Sequence, residues 1–392
     1  MPQESSVLGL PGYGIEKMEG RGRILVEARH EGPARCPFCQ GDRLRTKGRF
    51  VRRVRHTNYG LQQCWLALEA RKYRCRSCGR YFNQRFPGIG RWRRSTEPFR
   101  YQVFRDHHQG ICSKTLAERE GLGSATVERW YHDFLKRKVA QRSAETCPRL
   151  LGIDEQFFTR RQGFATTLCD LEHHKVYDVV LGRSEASLQG YFERLRGKDR
   201  VRVVCMDLSG SYRALVHKHF PRAVIVADRF HVIRLVNHQF LLTWRQLDAV
   251  GSKNRGLLSL MRRHEDRLDP DQRQRLQQYL QAHPHLAAIY EVKQRLMGIL
   301  RLKTHDPQAC RRRLIPQLLD FIEQLKTCGL QALEQLARTL GSWREEIVRM
   351  WRFTKNNGIT EGFHTKMEMI KRRAFGFRNF ENYRLRVRAL CA

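Results

Sequence analysis

The stretch Val201-Arg-Val-Val-Cys-Met-Asp-Leu-Ser209 constrains the chain more than any other, because a Val-rich run stops abruptly at a carboxylate, Asp207. Short apolar runs bounded by turn signals read as buried strands, and Ser209-Gly210-Ser211 supplies a turn into an amphipathic stretch. An acid so placed sits at a strand's carboxyl end, where open α/β sheets gather ligands, so the position suits chemistry better than core packing. Two other runs repeat the pattern: Leu150-Leu-Gly-Ile before Asp154, and Val224-Ile-Val-Ala before Asp228. Carboxylates presented together on one sheet edge repel each other unless cations neutralise them, and an all-oxygen ligand set favours magnesium or manganese. The pattern predicts a hard-metal site.

The rest of the chain predicts what that site acts on. Its 392 residues, 41% hydrophobic, are enough for two or three units with a sizeable core. Lys and Arg number 74 against 39 acids, a formal charge of +35 with a pI near 10.5. Such an excess strains the compact state by self-repulsion and predicts a polyanionic partner, nucleic acid first. No stretch approaches about 18 uninterrupted apolar residues and no basic-then-apolar leader opens the chain, so the expectation is a cytoplasmic, nucleoid-associated protein with no membrane partner. The twelve cysteines then read as reduced thiols rather than disulfides.

Four of those thiols have special spacing. Cys36-Pro-Phe-Cys39 and Cys75-Arg-Ser-Cys78-Gly79 are two hooks that together offer a tetrahedral zinc site. With Cys64–Glu69 and Lys72-Tyr73 as strands between them, they predict a zinc ribbon holding one structural Zn²⁺. From Arg35 to Arg94 there are 17 Lys and Arg against two acids, a net +15, which assigns Arg52, Arg53 and Arg55 to DNA phosphates. The interleaved Phe50, Tyr59, Trp65, Tyr73, Tyr81 and Trp92 read mostly as packing residues. Next comes a helix capped by Ser95 or Thr96, then Ser113–Glu120, a break at Gly121-Leu122-Gly123, and a restart at Ser124, with Ser113 and Ser124 as N-caps. That is a helix-turn-helix pattern with Ala117 at the crossing and Val127 and Trp130 inward. Ser124, Thr126, Glu128 and Arg129 would face the groove.

From Arg149 to His231 the pattern is three strands in antiparallel succession and then alternating helix and strand, with hairpin partners at Gly163–Asp170 and Lys175–Leu181. This is the ribonuclease H-like topology. After Asp228 almost only helical periodicity remains up to Arg352, with Asp269-Pro270 and Asp306-Pro307 as helix starts, so a helical subdomain is expected. Then Asn356-Asn357-Gly358 makes a turn. Phe363, Met367, Ile370 and Ala374 recur at helical spacing as a buried stripe, leaving Glu361 on the other face, free to point at a ligand. Eight basic residues against two acids between Lys366 and Arg388 give a second phosphate-binding face with Lys371, Arg372 and Arg373. The chain is thus expected to be a multidomain α+β protein. Its parts are an N-terminal segment (1–34), a zinc ribbon (35–94), a helix-turn-helix domain (95–142), a ribonuclease H-like core (148–236), an all-α insertion (237–352), and the core's last helix with a basic tail (353–392).

Gly-Ile-Asp154-Glu, Met-Asp207-Leu-Ser-Gly-Ser-Tyr, Ala-Asp228-Arg-Phe-His231, and Asn-Gly-Ile-Thr-Glu361-Gly-Phe through Lys-Arg-Arg-Ala-Phe-Gly-Phe-Arg-Asn-Phe cover nearly the whole chain. In these motifs it resembles the DDE transposases, and more narrowly the ISL-three insertion-sequence family of bacteria. The resemblance implies Asp154, Asp207 and Glu361 as catalytic acids holding two Mg²⁺ (or Mn²⁺) ions, with Asp228 and His231 as auxiliary residues. It also implies Mg-dependent nicking and strand transfer, terminal inverted repeats and target DNA as partners, and a homodimer or higher oligomer that joins two ends. His364 stands where the family more often carries Asn. Two alternatives from other classes remain: a ribonuclease H-like nuclease without strand transfer, and a DNA-binding regulator that has lost catalysis. The three acids argue against the regulator, and the two DNA-reading modules against the plain nuclease.

Overall fold

The computed structural model describes residues 8–141, 146–302, 306, 308, 310–353 and 358–391. The expected turn at Asn356-Asn357 and the proline of the Asp306-Pro307 start lie outside them. The chain divides into two compact units, Met1–Gln141 and Arg142–Ala392.

In the first unit β1 (Tyr13–Glu19), β2 (Arg23–His30), β3 (Leu44–Tyr59), β4 (Gln62–Cys75) and β5 (Tyr81–Asn83) form one sheet. Its order is β1-β2-β4-β3, with β5 also on β4. The β2–β4 pair is parallel and the other pairs are antiparallel. Ile24, Val26 and Ala28 alternate inward from β2 and meet Val54, Leu66 and Leu68 in a dedicated core. The first two strands thus belong to the sheet, although the sequence left them in a separate segment. The reason is visible in β1, where only Tyr13 is fully buried and no alternation marks a strand.

Three helices complete the unit: α1 (Glu97–His108), α2 (Ser113–Glu120) and α3 (Ser124–Ala140). Thr96 caps α1, its side-chain oxygen accepting from the Phe99 N–H. The expected caps Ser113 and Ser124 are instead the first helical residues. Cys112 caps α2 through its sulfur, and Gly123 precedes α3 without a side-chain cap. Gly121 ends α2 in the left-handed conformation, φ 64°, which a residue without a Cβ adopts at little cost. Phe99, Val103, Leu116, Ala117, Val127 and Trp130 form the core of the trihelical bundle.

The second unit is built on β6 (Leu150–Thr159), β7 (Gly163–Asp170), β8 (Lys175–Leu181), β9 (Val203–Met206) and β10 (Val224–Ala227), in the order β10-β9-β6-β7-β8. The β6–β7–β8 meander is antiparallel, while β9 and β10 run parallel to β6. The crossovers are α4 (Glu185–Arg194) and α5 (Gly210–His219). This is the ribonuclease H-like arrangement. Next follows α6 (Arg229–Leu247), capped by Asp228.

Of the helical stretch, α7 (Arg255–Arg262), α8 (Pro270–Gln281, capped by Asp269 as expected) and the start of α9 (Pro284–Arg301) enclose a small core around Trp244, Leu260 and Leu276. The later helices do not stand apart. From α10 (Ile315–Lys326), α11 (Gln331–Ser342) and α12 (Arg344–Arg352), residues such as Leu318, Leu336, Ile347 and Trp351 share one core with Ile153, Val204 and Ile225 of the sheet. The sequence showed helix here but could not show which apolar face the sheet itself requires. The opposite face of the sheet is covered by α13 (Gly358–Arg373) and α14 (Phe380–Leu390), through Met367, Ile370, Tyr383 and Val387 on Cys169, Val179 and Cys205.

Candidate active site

Strand register assembles the acids. Ile153 pairs with Met206 and Met206 with Ala227, so the next residues on three adjacent parallel strands are Asp154, Asp207 and Asp228. Neighbouring parallel strands lie about 4.8 Å apart and alternate their side chains, so residues in register share a face. Here the face is that of Cys205, which α13 covers. Asp154 is 3% and Asp228 1% exposed.

Their partners differ. Asp228 is held on both oxygens: one accepts the Phe230 N–H as the cap of α6, and the other meets His231 Nδ1 at 2.8 Å. That contact directs His231 Nε2 toward Asp154 Oδ1, 4.0 Å away. Among the described residues Asp154 otherwise accepts only the Glu155 N–H at 2.8 Å, and His364 Nδ1 stands 3.8 Å from its other oxygen. Asp207 Oδ1 is buried and has no hydrogen-bond partner among the described residues.

The electrostatics follow from this. Burial, with smaller contributions from Asp207 and Asp228, pushes Asp154 up to about 7, against the opposing pull of His231. Burial likewise raises Asp207 to about 6, with Glu155 and Asp228 adding to it. For His231 burial works toward the neutral form but is outweighed by the Asp228 hydrogen bond and the surrounding carboxylates, so its affinity for a proton rises. His364 is pushed down to about 4 by burial and by the neighbouring His231 and Lys371.

Glu361, in the first turn of α13, lies on its exposed side. Partial burial and the field of Asp228 raise its pKa, and His231 and Arg234 oppose the rise. Its carboxylate is thus within electrostatic range of Asp228 and His231. The donor set is oxygen-rich, crowded with like charge and carries one orphan oxygen, which fits a divalent cation. The three acids are nevertheless spread more widely than a preformed single-ion cage. Among the described residues, only Cys36, Cys39, Cys75 and Cys78 form a group of three or more whose metal-binding atoms all lie within 4.8 Å of one another.

That thiol cluster has Cys36 and Cys78 sulfurs 3.6 Å apart and Cys39 and Cys75 sulfurs 3.5 Å apart. A tetrahedron with Zn–S bonds of about 2.3 Å has edges of about 3.8 Å, so four thiolates at this spacing fit one zinc.

The basic residues separate into two groups. Arg55 is 4% exposed and Arg52 half-buried, so neither is the open phosphate contact expected from the sequence. Arg55 donates to Glu120 at 3.1 Å, to Asn58 and to the Cys64 carbonyl, tying β3 and β4 to α2. Arg52 donates to the Gly90 and Arg93 carbonyls. Arg53, Ser124, Arg129, Arg372 and Arg373 are exposed, Thr126 is partly exposed, and Arg129 reaches the Thr126 hydroxyl at 3.3 Å. Lys371 is occupied by Glu368 at 2.6 Å and by the Phe157 carbonyl. His364 has no role assigned by the sequence motifs. Its spacing of three from Glu361 on one helix was the signal that both could reach the same carboxylates.

Comparison with known proteins agrees with this architecture. A family model of ISL3-type transposases, described as "Transposase", matches residues 151–387, and one described as "zinc-finger of transposase IS204/IS1001/IS1096/IS1165" matches residues 32–78. The transposase for insertion sequence element IS1001 of Bordetella parapertussis is 27% identical over 98% of this chain and 96% of its own length. The transposase for insertion sequence element IS1557 of Mycobacterium tuberculosis is 22% identical over 59% of this chain and 57% of its own length. With its transposase model spanning more than half of its residues, the chain belongs to the ISL3 family of insertion-sequence transposases.

Proposed function

We propose that the chain breaks and rejoins DNA at the ends of an insertion sequence, with Asp154, Asp207 and Glu361 as the acids that hold two Mg²⁺ (or Mn²⁺) ions. One observation carries this: Asp154, buried, and Asp207, partly buried, are in register on adjacent strands with no Lys or Arg ion pair among the described residues, while Asp207 Oδ1 keeps no hydrogen-bond partner there. When bound, the ions supply Lewis-acid stabilisation of the attacking and leaving oxygens. Asp228 serves by capping α6 and orienting His231 toward Asp154. His231 in turn offsets part of the negative charge before substrate arrives.

Two balanced steps suit such a site. In the first, water bonds to a backbone phosphorus and the P–O3′ bond breaks, freeing a 3′-hydroxyl. In the second, that hydroxyl attacks a phosphodiester of target DNA and displaces its 3′-oxygen. No side chain need become covalently attached. The zinc-stapled sheet and the trihelical bundle would bind the terminal inverted repeats, with Ser124, Thr126 and Arg129 at the groove and Arg53 on phosphates. Arg372 and Arg373 would meet backbone near the site. Joining two ends requires at least a dimer on DNA.

The test is nicking of a plasmid carrying the element's own terminal repeats, in magnesium or calcium, by wild type and by Asp154→Asn, Asp207→Asn and Glu361→Gln. Cleavage at the repeat ends should require magnesium and fall to background in each variant, with DNA binding retained. Repeat-specific binding without cleavage by wild type would instead make the chain a regulator. Cleavage that never yields strand-transfer product would make it a nuclease.

A further inference from the structure

The aromatic residues of the zinc-stapled sheet are not all packing residues. Beside β3 and β5 runs a groove of about 810 Å³, lined by Phe38, Phe50, Tyr81 and Trp92, residues 47%, 41%, 54% and 77% exposed. Isolated exposed apolar residues need no explanation, but four rings gathered on one groove do. Three of the rings lie beside guanidinium groups: Arg80 over Phe38 at 4.7 Å, Arg91 over Trp92 at 5.1 Å and Arg74 over Tyr81 at 5.7 Å. Among the described residues no Asp or Glu lines the groove, whereas the exposed Arg53, Lys72, Arg85, Arg91 and Arg94 do. An apolar or acidic protein segment would not explain both features, but flat rings alternating with cations match planar bases alternating with phosphates.

Trp92 adds an independent observation. Its φ is +63°, a left-handed backbone that is strained for a bulky residue, and its ring gains little packing in return. Strain at an exposed aromatic is accounted for by what the ring presents outward. Duplex DNA offers only base edges in its grooves, so ring faces are of use only against bases that have left the stack.

We propose that this groove binds a single strand of DNA, stacking unpaired bases on Trp92, Phe50, Tyr81 and Phe38. This deepens the proposed function, resting on action at DNA ends and naming opened or tailed ends as the form recognised. The probes are a fluorescein-labelled blunt duplex of the terminal repeat and the same duplex with a six-nucleotide single-stranded tail. Binding of each to the full-length, zinc-loaded chain is read by anisotropy at fixed salt. Wild type should prefer the tailed duplex by roughly tenfold or more, as base–ring stacking of about 1–3 kcal/mol per base implies. Trp92→Ala and Phe50→Leu, the second keeping apolar bulk without a ring, should each remove most of that preference. Both should leave blunt-duplex affinity within about twofold and zinc content unchanged. Equal affinity for both probes in wild type, or equal weakening of both by the variants, overturns the proposal. Because the readout is binding, tail preference without nicking would sink the catalytic reading alone, and nicking without tail preference would sink this one alone.

Discussion

Asp178 and Asp154 lie on the same sheet and are almost equally shielded from water, at 5% and 3% exposure, yet they meet opposite surroundings. Asp178, on β8, accepts both forks of Arg384 at 2.8 and 2.6 Å, the Tyr191 hydroxyl at 3.0 Å and the Val179 N–H. Asp154, two strands away, has one backbone N–H and two imidazoles no closer than 3.8 Å. Glu120 in the other unit repeats the first situation with Arg55. An acid supplied with a cation by its own chain is finished structurally, and bidentate geometry offsets its desolvation. An acid buried without one stores an unmet demand, and that demand separates the working edge of the sheet from its scaffold.

The contrast can be broken by removing the built-in cation. Arg384→Met should leave the buried Asp178 with only the more distant Arg388, 3.7 Å away, and lower stability by up to about 3–5 kcal/mol in urea unfolding, most of it recovered by adding Asp178→Asn. A harmless Arg384→Met would mean that the two aspartates do not differ as described.

A smaller effect comes from pH. Asp154 and Asp207 hold their protons up to about 7 and about 6 in the folded chain, well above the ordinary carboxylate value that the unfolded chain keeps. Their contribution to stability is therefore full below about pH 4 and is lost as pH rises through 6 and 7. With zinc retained and no magnesium added, stability should fall by about 4 kcal/mol between pH 5 and 8, and Asp154→Asn should flatten most of the slope. A flat wild-type profile would show that both acids are already satisfied.

Least disturbing to the fold is Glu361→Gln, since this side chain is exposed on α13. The melting temperature should shift by no more than the equivalent of about 0.5 kcal/mol, although nicking is lost. A large loss of stability would move Glu361 into the class of Asp178.

Much of this was legible because it is local. The apolar runs that end at Asp154, Asp207 and Asp228, each single cysteine hook and the glycine turn before Ser124 are all written within ten residues. Arg55 could not be placed that way, because a charged residue reads as surface until its partner is known, and Glu120 is 65 positions away. The same holds for Trp351 and Leu336, whose helical spacing was clear but whose burial against Val204 is a property of the assembled sheet. Trp92 was misjudged for the converse reason: a large ring reads as core, and only the folded chain exposes it.

The helix that begins at Asp228 carries one further consequence. Over its 19 residues α6 spans about 28 Å, from the cap that aims His231 to Trp244 in the small outer core, with Val232, Val236 and Phe240 seated on the sheet along the way. The helical stretch is therefore not a graft that could be trimmed to a short loop. Any shortened transposase has to cut beyond Leu247, or it would strip the sheet of its cover and leave the histidine unaimed.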